Sequence, residues 1–440
     1  MRNQVVLIIG EVFVDTHLDL LYEQEPLVRM GGIFHAARAF SALNIQYVLA
    51  YYAPEYLKTD IDFWSLFLHA KGCFELGRIN RAPNVMLIND SQEAGRQQYH
   101  NILKNQAEFI ETGSLEQLIE DMNPTDILLF PGRYNLAKVM KTLENYQGRL
   151  HIDMHYDSEC LLDGFTGKID SIILSTSSSL FFVESHGSFS ECCKKFQMYN
   201  AKRFLLKENR GGSVCCCLST NKIIEVPSYA ARTIHSVGVG DVYDAFFIST
   251  CFEDDIHKRM KFSSLCAAKY AETVDFDFFA ENVRLIFDHF DELCDLSGIR
   301  LSWQDREKKS IYLAAPDFPE VDTKWLDLLD ESLKAHHFKP RRPIQENGLA
   351  TSNMSSNEEI ELYYKDLALL NECELLIAIL LYQDPGTLVE LGMFKQQGKQ
   401  TIIFDPYHIC TNMFVKYTPD YLCHTISEVI DATFQCLGGK

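Results

Sequence analysis

Leu375-Leu-Ile-Ala-Ile-Leu-Leu381 is followed two residues later by Asp384-Pro385-Gly386-Thr387-Leu388-Val389-Glu390-Leu391-Gly392. An unbroken apolar run bounded by turn residues predicts a strand buried on both faces, and Asp-Pro-Gly predicts the capped opening of a helix. Strand, turn and helix in this order form the repeating unit of a parallel α/β sheet, whose ligands bind outside the carboxyl ends of the strands. The segment therefore presents two carboxylates, Asp384 and Glu390, at one strand end. Paired carboxylates suit the cleavage of a glycosidic bond, because the oxocarbenium-like transition state needs a negative group at the anomeric carbon and a proton for the leaving group.

Outward from this segment the same alternation continues. Strands are expected over 310–314 and 401–404, and helices over 323–336, 358–371, 386–397 and 426–436. The polar stretch Ser302-Trp-Gln-Asp-Arg-Glu-Lys-Lys309 precedes the first of these strands and marks a boundary. Upstream of it, short apolar or β-branched runs at 5–9, 47–51, 127–130, 150–154, 172–174 and 204–207 predict further buried strands. Helix-period segments lie at 33–43, 114–122 and 280–296. The whole reads as α/β with mostly parallel sheets, in two domains.

Composition supports a chain able to bury large cores. Of 440 residues, 47% are apolar and 23% charged, the balance of a globular protein rather than a disordered one. The 41 basic and 61 acidic residues give a formal charge of −20, which disfavours nucleic acid and anionic membrane as partners and favours small molecules. The basic run Lys339-Pro340-Arg341-Arg342 is the local exception, read either as a solvated loop or as a phosphate-steering patch. Fourteen cysteines without a framework spacing predict reduced thiols, hence a cytoplasmic chain. No apolar run approaches the ~18 to 20 residues of a membrane span. The opening run before Gly10 is too short for a signal sequence.

A second site is suggested by Gly238-Val239-Gly240-Asp241. Glycines at 238 and 240 let backbone N–H groups approach a phosphate, and the apolar run 242–248 predicts a buried helix starting there. Asp241 at its N-terminus is placed to take a proton from a hydroxyl attacking a γ-phosphoryl group, or to serve as an ordinary cap.

The segment from His235 to Phe246 resembles the Asp-Thr-x-Gly-Ala-Gly-Asp-x-Phe signature of the ribokinase-like, or PfkB, carbohydrate kinases. Gly10-Glu-Val-Phe-Val-Asp15 is similar to that family's first strand, ending in an aspartate that holds sugar hydroxyls, and Gly31-Gly32 to its di-glycine substrate motif. The resemblance spans about residues 1–300. It implies a three-layer sandwich, ATP and Mg2+ as cofactors, Asp241 as catalytic base, Asp15, Gly31 and Gly32 as substrate contacts, and Gly238, Gly240, Lys207 and Gly212 as cofactor contacts. The chain departs from the pattern at three places. His35 or Ala36 replaces the asparagine after the di-glycine, Thr176-Ser177-Ser178-Ser179 replaces the Asn-x-x-Glu that organises magnesium, and Asn209 replaces the first glycine of Lys-x-Gly-x-x-Gly. An active kinase and a degenerate sugar- or nucleoside-binding domain both fit these residues.

Residues 308–440 resemble the nucleoside 2-deoxyribosyltransferases and related deoxynucleotide N-hydrolases, a smaller flavodoxin-like doubly wound fold with a parallel sheet. Tyr312-Leu313-Ala314-Ala315-Pro316, Asp366, Asp384-x-Gly-x-x-x-Glu390-Leu-Gly and Asn412-Met413 carry the likeness. It implies Glu390 as the nucleophile at C1′ with Tyr312 bonded to it. Asp366 and Asp384 would serve base and sugar, Gly386 would contact substrate, and Asn412 would reach a neighbouring subunit's site in a homo-oligomer. No cofactor or metal ligand is implied for this domain. The segment 345–357 reads as a loop over the site or a plain surface loop, with Ser352, Ser355 and Ser356 as phosphate contacts. Two rival functions are a sugar or nucleoside kinase whose C-terminal domain senses nucleotides, and a non-enzymatic nucleoside-binding regulator.

Overall fold

A computed structural model describes residues 4–18, 25–95, 98–154, 161–351 and 353–439. The chain divides into two compact units, one of Met1–Glu93 with Gln97–Gly298, the other of Ala94–Arg96 with Ile299–Lys440.

The first unit is built on a ten-stranded sheet. Edge to edge its strands are Lys222–Val226, Ser213–Cys217, Ala201–Lys207, Ile169–Ser175, Arg149–Asp153, Asp126–Leu129, Val5–Glu11, Gln46–Ala53, Gly72–Asn80 and Glu108–Glu111. The central pairings are parallel, and the antiparallel ones lie at the two margins. That distribution explains the sequence pattern. Val5–Glu11 is buried at every position, as a central parallel strand covered on both faces must be, whereas the edge strand Lys222–Val226 is largely exposed. Helices Phe34–Ala42, Val239–Ile248, Ile256–Ala271 and Phe276–Asp288 pack on one another and share one large apolar core with the sheet. Val239–Ile248 is buried from Asp241 onward, which accounts for its continuous apolar run.

Asp15 does not end the first strand. That strand stops at Glu11, and Asp15 lies in Val14–His17, inside a separate four-stranded sheet with Leu27–Met30, Val85–Ile88 and Tyr99–Asn101. The break follows from the backbone leaving one sheet for another: the Val12 N–H bonds to Tyr52 O, and the Val14 N–H already bonds to Asn84 O.

The second unit holds a five-stranded, all-parallel sheet in the order Lys339–Arg341, Ser310–Ala314, Leu375–Ile379, Gln400–Phe404, Tyr421–Cys423. In sequence terms this is 2-1-3-4-5, the doubly wound order with its switch point between Ser310–Ala314 and Leu375–Ile379. Leu375–Ile379 is fully buried at the centre, and Pro385–Gln396 follows it as a helix.

Two sequence expectations are corrected here. Of the expected loop 345–357, residues 345–347 close the helix Pro343–Asn347 and 356–357 open Ser356–Glu372. Ser355 caps that helix through a reciprocal pairing with Glu358, so its hydroxyl is committed to structure, and Ser352 lies outside the described residues. In the basic run 339–342, Lys339 is exposed, but both arginines are paired within the protein and so are not free to steer a phosphate. Arg341 forms a two-point pair with Glu346 at 2.6 and 2.5 Å, while Arg342 is held by Asp317 at 3.0 and 2.8 Å and by Asp327 at 2.6 Å. No disulfide forms among the described cysteines. None of the described helices is long and apolar enough to cross a membrane.

Candidate active sites

At the switch point of the second unit, Tyr312 projects from a buried strand and donates its hydroxyl hydrogen bond to Glu390 Oε1 at 2.8 Å. Glu390 stands on the second turn of Pro385–Gln396, so the bond ties the strand on one side of the switch point to the helix that follows the strand on the other. Burial raises the Glu390 carboxyl to about 7, the charges of Asp366 and Asp384 add to the rise, and the Tyr312 hydroxyl opposes it. Burial and the carboxylates of Glu390 and Asp366 push the Tyr312 phenol far above its usual range, which keeps it a donor. Four groups named from the sequence thus share one electrostatic environment.

Each acidic neighbour is held by its own contact. Asp366, on Ser356–Glu372, accepts through Oδ1 from the Asn347 side chain at 2.9 Å. Burial raises its carboxyl, against the Asn347 hydrogen bond. Asp384 caps Pro385–Gln396, its Oδ2 accepting from the Thr387 N–H at 2.7 Å and the Thr387 hydroxyl at 2.9 Å. It is therefore a helix cap as well as a carboxylate beside Glu390. A methyl group on Gly386 would lie 3.0 Å from that oxygen, so glycine there gives the cap room. Asn412 is exposed and caps the short helix Met413–Tyr417 by accepting from the Phe414 N–H at 2.9 Å. Asn347 is the residue that sequence reasoning missed; it fell inside the expected loop, 19 positions from Asp366, with no local signal to mark it.

In the first unit, the turn before Val239–Ile248 has Gly238 at φ 77°, a conformation open to glycine, and Asp241 sits buried in the first helical turn. Burial and the neighbouring Asp153 carboxylate raise the Asp241 carboxyl well above the carboxylate range, against the pull of Lys207. Lys207, expected as a cofactor contact, is engaged within the protein. Its ammonium donates to Asp153 Oδ2 at 3.1 Å, Asp244 Oδ2 at 2.7 Å and Gly240 O at 3.3 Å, which uses all three of its hydrogens inside the protein. Burial would lower its pKa, but the Asp153 and Asp244 carboxylates outweigh that and hold it charged. Asp153 and Asp244 were not singled out from the sequence, although the first lies within an expected strand and the second follows Asp241 by three residues, on the same helix face.

Asp153, Asp241 and Asp244 are the one acidic group among the described residues compact enough to hold a metal ion, with an oxygen of each within 4.8 Å of the others. The Lys207 ammonium already lies against two of the three. While it does, the arrangement does not fit Mg2+ in that place. The other departures have physical readings. Asn209 takes φ 53°, a left-handed conformation asparagine tolerates, so the turn to Gly212 (φ 100°) survives without its first glycine. Thr176-Ser177-Ser178-Ser179 leads into the helix Ser179–Ser185, which Ser178 caps.

Asp15 is likewise satisfied internally. His35 Nε2 is 2.9 Å from Asp15 Oδ2, and His35 Nδ1 is 2.8 Å from the Tyr270 hydroxyl. Burial takes the His35 ring down to about 4 against the pull of Asp15, so it is neutral; it donates to Asp15 and accepts from Tyr270. A methyl group on Gly31 would meet both Asp15 oxygens at 2.2 Å, and one on Gly238 would meet the His35 ring at 2.2 Å. Di-glycine, aspartate, imidazole and glycine turn are packed in direct contact.

Residues 311–416 match the sequence profile of the family described as Nucleoside 2-deoxyribosyltransferase. No curated protein matches the chain. Among solved structures, phosphofructokinase-2 from Escherichia coli, in complex with potassium, is similar at 12% identity and a TM-score of 0.50, over 66% of this chain and 99% of that one. Adenosine kinase from Sinorhizobium meliloti is similar at 14% identity and a TM-score of 0.50, over 64% and 99%. At such identities the likeness establishes the fold of the N-terminal part, a ribokinase-like sandwich, and nothing of its activity.

Proposed function

From a chain that joins a ribokinase-like fold to a nucleoside 2-deoxyribosyltransferase-like domain, we propose that the C-terminal unit cleaves or exchanges the N-glycosidic bond of a (deoxy)nucleoside or nucleotide through Glu390. The observation that carries this is the Tyr312–Glu390 hydrogen bond at 2.8 Å, with the charges of Asp366 and Asp384 acting on the same carboxylate.

In this reading the Glu390 carboxylate attacks C1′ as the bond to the nucleobase breaks, and the base leaves with the bonding pair. A proton from Asp366 or Asp384 neutralises it. Burial supports both roles, since it keeps Asp366 protonated to higher pH and makes Glu390 a stronger base than a solvated carboxylate. The glycosyl ester is then opened by water or by a second base at C1′, regenerating Glu390. Tyr312 orients the carboxylate by bonding one oxygen and leaving the other for carbon. A homo-oligomer is part of the reading: Asn412 belongs to an exposed helix whose Met413, Phe414 and Tyr417 are also exposed, a surface suited to a second copy.

The experiment is chromatography of a nucleoside and nucleotide panel incubated with the full chain, with and without an acceptor base. Nucleobase release or exchange that disappears in Glu390→Ala supports the reading. A folded chain that releases no base from any member, or a Glu390→Ala variant that retains the rate, ends it.

A further inference from the structure

Three carboxylates buried at the start of one helix present an electrostatic problem that has to be answered inside the protein. Asp153, Asp241 and Asp244 are all buried and mutually close. Like charges at such range repel strongly where water is excluded, so a cluster of this kind needs protons, a metal ion or a side-chain cation. Lys207 supplies that cation. It reaches the cluster from the end of the strand Ala201–Lys207, and its stem is buried along the way. Its ammonium is bonded to Asp153, Asp244 and the backbone oxygen of Gly240, the glycine just before Asp241. A methyl group on Gly240 would stand 3.3 Å from Lys207 Nζ, so the chain is small at the point where the ammonium closes on it. Asp244 Oδ1 has no hydrogen-bond partner and is fully buried, and burial together with the Asp153 carboxylate raises the Asp244 carboxyl well above its usual range against the pull of Lys207.

We propose that Lys207 is a tethered cation that takes the place of a divalent metal ion among Asp153, Asp241 and Asp244, so that the N-terminal unit holds this site without metal. An ammonium on its own strand enters the site when the chain folds, at an effective concentration no free ion matches. A free Mg2+ would have to displace it and strip its own water. The inference is independent of the C-terminal chemistry.

The test is thermal unfolding of the full chain with Mn2+ or Mg2+ alone, at ~5 mM, where a specifically bound ion raises the midpoint by several degrees. Wild type is expected to move by less than about 1 °C. Lys207→Ala is expected to melt lower without metal and to regain half or more of the loss with Mn2+. The regain should be absent from the double variant Lys207→Ala/Asp244→Asn. Should Lys207→Ala fail to fold in buffer, folding restored by Mn2+, read by circular dichroism, supports the proposal equally. It is overturned if wild type is stabilised by several degrees in a manner lost in Asp244→Asn, or if Lys207→Ala recovers nothing with metal.

Discussion

The two candidate sites are built from the same parts and finished in opposite ways. Each gathers carboxylates beside the start of a helix that follows a turn near a sheet's carboxyl edge. In the C-terminal unit Glu390 meets a phenol and two further acids, and burial with those acids lifts its carboxyl to about 7. In the N-terminal unit Asp15 is hydrogen-bonded to the His35 imidazole, and the Asp153–Asp244 pair is bonded to the Lys207 ammonium, so these carboxylates are engaged by donors of the protein itself. Burial is common to both; the identity of the neighbouring donor decides whether a carboxylate is kept for a ligand or spent on the fold.

The contrast is broken or sharpened by variants. The largest expected effect is in Glu390→Gln, which should lower nucleobase release on the order of a thousandfold or more, while Asp241→Asn leaves that release unchanged; an equal loss in both would erase the distinction. Next is Tyr312→Phe, with kcat down on the order of ten- to a hundredfold. Because the Tyr312 hydroxyl lowers the Glu390 pKa, its removal should also move the acid limb of kcat/KM upward from near 7. A limb that stays in place would show that Glu390 is not the titrating group.

A third prediction concerns stability. A carboxyl raised in the folded state binds more protons folded than unfolded between its usual value of 4.5 and about 7, so stability falls as pH rises through that window and is level above it. Glu390→Gln removes the fall. At pH 8 the variant should be the more stable by about 1–3 kcal/mol, with little difference at pH 4. Urea unfolding at the two pH values measures this, and a variant no more stable at pH 8 would contradict the buried, uncompensated carboxylate. The smallest effect is expected for Asn347→Ala. Loss of its hydrogen bond lets Asp366 rise further, and kcat/KM should fall by a few-fold, with the change in the pH profile rather than in the melting temperature.

Much of this was legible in the sequence where one local rule acted alone. The run 375–381 is a buried strand because a central parallel strand is apolar on both faces, and Asp384 caps the next helix because Asx residues do so before Pro-Gly. The flavodoxin-like fold of the C-terminal unit and the meeting of Tyr312 with Glu390 were implied by the family resemblance, whereas its two edge strands, Lys339–Arg341 and Tyr421–Cys423, were not among the expected ones. What was not legible depended on partners far apart in the chain. Lys207 reads as part of a nucleotide turn until Asp153 and Asp244, 54 and 37 positions away, are seen around its ammonium. Arg341 and Arg342 read as a basic patch until Glu346, Asp317 and Asp327 neutralise them. Asp15 reads as the end of the first strand, since nothing local announces that the chain passes into another sheet at residue 12.

The Asp384 cap bears on which residues position 384 can hold. Both cap contacts fall on a single oxygen, and the helix they anchor carries Glu390. One side chain therefore both starts this helix and adds its charge to the surroundings of Glu390. An exchange at 384 that cannot cap, such as alanine, would loosen the start of the helix that carries Glu390, whereas asparagine or serine there would keep the cap and change only the charge.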